Sequence, residues 1–136
     1  TNMAAAQPAA QASAWQAWTP GAAEQIAAGG RPVFVDFTAA WCLTCQVNKK
    51  LVLDRAEMVN YFESQHVTLL LADWTNRDPA ITAELARYGR NGVPLYLLHA
   101  PGQGEPQVLP ELLTSGIVLD ALARIAPSPV ARSADR

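Results

Sequence analysis

Two cysteines carry the chemistry this sequence offers: Cys42 and Cys45, in the run Ala40-Trp41-Cys42-Leu43-Thr44-Cys45-Gln46. They are the only cysteines among 136 residues. On a helix their spacing puts the two Cα atoms roughly 5 to 6 Å apart, which a disulfide spans without much strain. At a helix start, the unpaired N–H groups and the positive end of the dipole favour thiolate over thiol. Thiolate is the attacking species. The pair is therefore suited to opening and closing a disulfide, with one sulfur exposed to a partner and the other placed to resolve the mixed disulfide. Two blander readings stay open. Zinc would need two further ligands, and the only histidines, His66 and His99, are not near each other in sequence. An inert structural bridge would usually close a longer loop, because a short one removes little unfolded-state entropy.

Three more positions surround the thiols in sequence. Asp36 interrupts the apolar run Val33–Phe37, six residues before Cys42. Burial raises a carboxyl pKa, which suits Asp36 as proton acceptor for Cys45; the alternative is a core aspartate satisfied by local hydrogen bonds. Val93-Pro94 follows Gly92 and directly precedes an apolar run. Proline cannot join a central ladder. A cis Val93-Pro94 bond would account for it and would leave the Val93 backbone groups free to pair with a substrate chain. Trp41 is either a half-exposed lid on the sulfur or a core anchor, and Trp74 carries the same ambiguity.

The elements that must position these groups follow from punctuation and periodicity. Trp15–Trp18 is a candidate edge strand. Thr19 and Pro20 read as N-cap and first helical position of a helix closed by Gly29-Gly30. Val33–Phe37, β-branched and aromatic after a Gly-Gly-Arg-Pro break, predicts a buried strand. Cys42 to Leu53 lacks Gly and Pro and carries Leu43, Val47 and Leu51 at spacing four, predicting an amphipathic helix. Asp54-Arg55-Ala56-Glu57 has capping-box spacing and restarts a helix whose Met58, Val59 and Phe62 face inward. Val67–Ala72 reads as a central strand. Asp78-Pro79 caps a helix that Gly89 closes. Leu95–His99 and Gln107–Leu109 form a hairpin across Pro101–Gly104. Thr114 or Ser115 caps a last helix with Val118, Leu119, Leu122 and Ile125 on one face. The order β-α-β-α-β-α-β-β-α predicts an α/β fold, a mixed central sheet with helices on both faces.

Composition bounds the function. Half the residues are hydrophobic and the net charge is −2, which permits an ordinary core and argues against a nucleic-acid surface. No apolar run is long enough to cross a bilayer, and no signal peptide is recognisable. Residues 1–14 read as a flexible linker or cloning remnant, 15–126 as the domain and 127–136 as a disordered tail. An opening Thr1-Asn2-Met3 reads as a fragment of something larger.

Asp36, Trp41-Cys42-x-x-Cys45 and Val93-Pro94, in this order and β/α frame, resemble the thioredoxin superfamily over about Trp15 to Ala126. The segments Val33–Phe37, Thr38–Cys42, Ala72–Asp78 and Gly92–Tyr96 are similar to the C-terminal periplasmic domain of DsbD-type membrane thiol:disulfide interchange proteins and to the related domain of ScsB. The resemblance implies a thioredoxin-like fold with a cis-proline at Pro94 facing the dithiol. It implies Cys42 as attacking thiol, Cys45 as resolving thiol and Asp36 as buried acid, with Trp41, Val93 and Pro94 meeting the substrate. No cofactor beyond a redox-active Cys42–Cys45 disulfide is implied. Electrons would come from a transmembrane domain of the same protein and pass to an N-terminal periplasmic domain or other periplasmic thiol proteins. The setting would be a periplasmic domain of a bacterial inner-membrane protein, itself not embedded. Rivals are a free-standing periplasmic thioredoxin or isomerase, and a non-catalytic binding module with a structural disulfide. Two departures stand out. Leu43-Thr44 replaces the Gly-Pro of ordinary thioredoxins, and Lys49 stands where DsbD-type domains tend to carry an acid. A cation there is expected to make Cys42 more acidic.

Overall fold

A computed structural model describes residues 14–125. Except for Ala14, the linker and tail expected at 1–14 and 127–136 lie outside the described residues. Five strands form one mixed sheet: β1 (Trp15–Ala17), β2 (Val33–Thr38), β3 (Thr68–Asp73), β4 (Leu95–His99) and β5 (Gln107–Leu109), in the order β1-β3-β2-β4-β5. β3 runs parallel to both β1 and β2, whereas β4 is antiparallel to β2 and to β5. β2 is thus the middle strand, and its first five residues are all buried.

Alternation along β2 and β4 sends side chains to two separate cores. Phe34, Tyr96 and Leu98 pack with Leu53, Phe62, Val118 and Leu122. Val33, Val35, Phe37, Leu95 and Leu97 pack with Ala23, Ala27, Ile81 and Leu85. The second face is covered by α1 (Ala22–Ala28) and α4 (Pro79–Arg87). The first is covered by a longer stretch, α2 (Leu43–Asn48), a π-helical turn (Lys49–Leu53) and α3 (Ala56–Ser64), together with α5 (Ser115–Ala123). The helices-on-both-faces architecture is the expected one.

Several local expectations are corrected. Thr19 and Pro20 are not inside the first helix. Its N-cap is Gly21, at φ 82°, and the Ala22 N–H donates to the Thr19 carbonyl in a preceding turn. The stripe Leu43, Val47, Leu51 faces solvent, with 79%, 37% and 58% exposure. The inward residues are Cys45, Asn48, Val52 and Leu53. The sequence concealed this face because one of its members is a polar asparagine and because the π-turn shifts the register. Asp54 does not cap α3: Arg55 is the N-cap without a side-chain bond, and the Asp54 carboxylate is taken by Lys49. Val59 is only half-buried, and Leu119 is 39% exposed, on the outside of α5. The Asp78 cap, by contrast, forms as expected, its carboxylate accepting from the Ala80 and Ile81 N–H groups.

Candidate active site

The site lies where β2 ends and α2 begins. The chain turns through Thr38–Cys42, closed by the Cys42 N–H donating to the Ala39 carbonyl at 3.1 Å. Cys42 is the N-cap of α2 in extended conformation, and its Sγ accepts from the Cys45 N–H at 3.1 Å. The helix end thus directs a backbone donor at this sulfur, an arrangement that stabilises negative charge there. Cys42 and Cys45 are joined in a disulfide with Cα atoms 5.2 Å apart, inside the range expected from their spacing. The pair is recessed: Cys42 is 8% exposed and Cys45 2%. Of the two, Cys42 is the one a visiting disulfide can approach, through a narrower opening than a freely exposed sulfur would have.

Val93 closes the other side. The Val93-Pro94 peptide is cis, and Val93 packs on Ala39 and both cysteines. Its carbonyl oxygen stands 3.9 Å from Cys42 Sγ; with the sulfur in a disulfide and lacking a proton, this is a contact and not a hydrogen bond. Among the described residues, neither the Val93 N–H nor its carbonyl has a backbone partner.

Asp36 is 5% exposed on the central strand. Burial pushes its carboxyl up to about 7, opposed by the Lys49 charge and reinforced by Asp54. Its Oδ1 has no hydrogen-bond partner among the described residues, so a core aspartate satisfied by its neighbours does not describe it. It lines a cleft of about 270 Å³ together with Gln46, Lys49, Asp54 and Thr75. Lys49 is held by Asp54 at 2.9 Å, so the position that departs from the DsbD pattern sits in the cleft of the buried acid.

Trp41 is half exposed beside Cys42, with its Nε1–H donating to the Thr75 carbonyl at 3.0 Å. Trp74 is 4% exposed, its Nε1–H donating to Thr82 Oγ1 at 2.8 Å, which makes it a core anchor. Among the described residues there is no group of three or more His, Cys, Asp or Glu arranged to hold a metal.

Sequence reasoning missed a network that fastens these parts together. Asn48, 1% exposed, donates through Nδ2 to Tyr96 Oη at 2.8 Å and to the Glu111 carbonyl at 2.7 Å, and accepts from the Leu113 N–H at 3.0 Å. The Tyr96 hydroxyl pKa is pushed up by burial and then by Asp36. Arg90 meets the Glu111 carboxylate at 3.3 Å and donates to the Pro94 carbonyl at 3.2 Å. The dithiol helix and the cis-proline loop are therefore braced through one loop. The available signal was Asn48 itself, three residues after Cys45 on the same helical face.

Comparison with known proteins agrees with this geometry. Over 76 residues, 56% of this chain, it is 36% identical to thiol:disulfide interchange protein DsbD 1 of Pseudomonas aeruginosa; the match spans 12% of that relative. The C-terminal domain of Neisseria meningitidis DsbD, solved reduced and oxidised, superposes with TM-score 0.60 at 21% identity, covering 90% of this chain and 96% of that domain. A thioredoxin from Thermus thermophilus superposes with TM-score 0.60 at 22% identity, covering 81% and 84%. Residues 14–101 match a family model described as thioredoxin-like, and with that match over the dithiol turn, the buried acid strand and the cis-proline, the chain belongs to the thioredoxin-like family.

Proposed function

We propose that this domain is a protein thiol:disulfide oxidoreductase that relays electrons by dithiol–disulfide exchange, in the manner of a DsbD C-terminal domain. The observation that carries the reading is the recessed Cys42–Cys45 disulfide at the start of α2, with the outer sulfur against the unpaired backbone of Val93. In the reduced domain, the Cys42 thiolate attacks a partner disulfide. One partner sulfur leaves as thiolate and takes a proton from solvent, and a mixed disulfide forms. The partner strand lies along Val93 and Trp41. Cys45 gives its proton to Asp36, then attacks Cys42 Sγ and releases the second partner sulfur as thiolate, which takes up a proton. Two electrons have passed to the partner, and the domain is left with the disulfide seen here. An Asp36 carboxyl near 7 can both accept and return a proton close to neutral pH.

The domain is then re-reduced by an electron donor. By similarity to DsbD, that donor is a transmembrane domain of the same protein, and the acceptors are an N-terminal periplasmic domain or other periplasmic thiol proteins. The periplasmic setting rests on the same similarity. Among the described residues no helix is long and apolar enough to cross a membrane.

Trapping tests the assignment. Cys45→Ala should accumulate a covalent complex with a disulfide-bearing partner, resolved by dithiothreitol, and Cys42→Ala should not. The reverse pattern would exchange the two roles, and no complex with either variant would remove the exchange reading. Transmembrane helices encoded upstream in the full gene would support the membrane donor.

A further inference from the structure

The loop after β3 builds a clamp that neither the exchange chemistry nor the core explains. The Trp74 N–H donates to the Thr38 carbonyl at 2.7 Å, and the Ala40 N–H donates to Thr75 Oγ1 at 2.8 Å. Thr75 is itself held by Asp73 Oδ1. These bonds tie the loop to the dithiol turn. On top of them the Trp41 and Trp74 rings stand 5.9 Å apart, and the Arg77 guanidinium lies 4.8 Å from both ring centroids. Among the described residues no carboxylate forms an ion pair with Arg77, so the two indoles are its charge partners.

The backbone at Arg77 is the second observation. Its φ is +55°, a region that favours glycine and that a long side chain occupies at a conformational cost. Glycine would meet the turn more easily. Arginine in this place delivers a planar cation to two aromatic faces.

We propose that Arg77 is a positioning residue for disulfide exchange. It fixes the Trp41 indole as a rigid wall beside Cys42 and so sets how well a protein partner is held at that sulfur, while leaving the sulfur chemistry itself unchanged. This rests on the exchange reading above. Small disulfides, which do not span the wall, are indifferent to it.

Arg77→Gly tests this, because it removes the cation and relieves the turn together. With the dithiothreitol-reduced domain, KM for insulin disulfides should rise about two- to fivefold, with kcat within twofold. Reduction of hydroxyethyl disulfide should be unchanged. The circular dichroism couplet of the Trp41–Trp74 pair should weaken, while Tm holds or rises. Arg77→Lys should recover part of the insulin KM, and Arg77→Met should not. Adding Arg77→Gly to Trp41→Ala should change nothing further. An unchanged insulin KM, an equal loss on hydroxyethyl disulfide, or an additive effect in the Trp41→Ala background would overturn the proposal. A wild-type domain that reduces neither disulfide would instead refute the exchange reading, and the dichroism of Arg77→Gly would still report on the clamp.

Discussion

Asp36 and Tyr96 are direct partners across the β2–β4 ladder, yet the tyrosine hydroxyl accepts from Asn48 and Asp36 Oδ1 has no hydrogen-bond partner among the described residues. The central strand therefore holds a carboxyl that is buried, opposite a polar neighbour, and unserved by it. Such a group resists ionisation until the pH approaches its raised pKa.

The pH dependence of stability follows from that. In the unfolded chain Asp36 ionises near 3.8, and in the folded domain near 7. Between these values the unfolded state has lost the proton and the folded state has kept it, so stability falls as pH rises and levels off above 7. The gap corresponds to roughly 4 kcal/mol as an upper bound. Asp36→Asn should accordingly stabilise the oxidised domain at pH 8, by an amount on the order of a few kcal/mol, and should gain almost nothing at pH 4. Denaturant titrations at the two pH values measure this; an equal gain at both would mean that Asp36 does not titrate in this window.

The rim of the cleft should tune the same group. Lys49 lowers the Asp36 pKa and Asp54 raises it. Lys49→Glu is expected to move the Asp36 titration upward, and Asp54→Asn downward, in spectra that follow the labelled carboxyl carbon. If Asp36 accepts the Cys45 proton, the pH profile of insulin reduction should move in the same two directions. Profiles that stay fixed while the carboxyl titration moves would remove Asp36 from the proton path.

Asn48 is expected to matter for stability. Asn48→Ala strips a partner from the Tyr96 hydroxyl, the Glu111 carbonyl and the Leu113 N–H, of which the Tyr96 and Leu113 bonds are in buried settings. A loss of about 3 kcal/mol is expected, read from equilibrium unfolding. A loss below about 1 kcal/mol would show that water replaces these bonds.

The outward stripe of α2 gives the opposite expectation. Leu43→Ser and Leu51→Ser should each change stability by less than about 0.5 kcal/mol, because both side chains are mostly in solvent. Leu53→Ala, at 1% exposure, should cost about 2 to 5 kcal/mol. The three thermal or denaturant midpoints together test which face of this segment is buried.

What was legible in the sequence was the part governed by short-range rules. Val33–Phe37 read as a strand because β-branched and aromatic residues follow a glycine-proline break. Cys42-x-x-Cys45 read as a dithiol because spacing alone fixes its geometry. Asp36 stood out because a carboxylate in an apolar run has few explanations, and Val93-Pro94 because proline before a strand needs one. The failures have a common cause. The inward face of the dithiol helix holds Asn48, whose burial depends on acceptors and donors at Tyr96, Glu111 and Leu113, 48 to 65 positions away. Arg90 and Arg77 belong to the site only through loops that the fold brings together. Asp54 read as a helix cap because Lys49, its actual partner, lies one wide turn earlier.

That wide turn has a consequence for how the domain can vary. From Lys49 to Leu53 the backbone closes on the fifth residue and not the fourth, the Asp54 N–H reaching back to the Lys49 carbonyl at 2.8 Å. Five residues here turn through about the angle that four cover in an ordinary helix, so removing one of them would let an α-helix run through with the side chains on either side close to their present directions. Met58 and Phe62 lie beyond a break in any case, because Arg55 is extended and a new helix starts after it. A one-residue deletion within 49–53 is therefore expected to leave the dithiol and Phe62 facing as they do, whereas a one-residue insertion finds no such slack to take up.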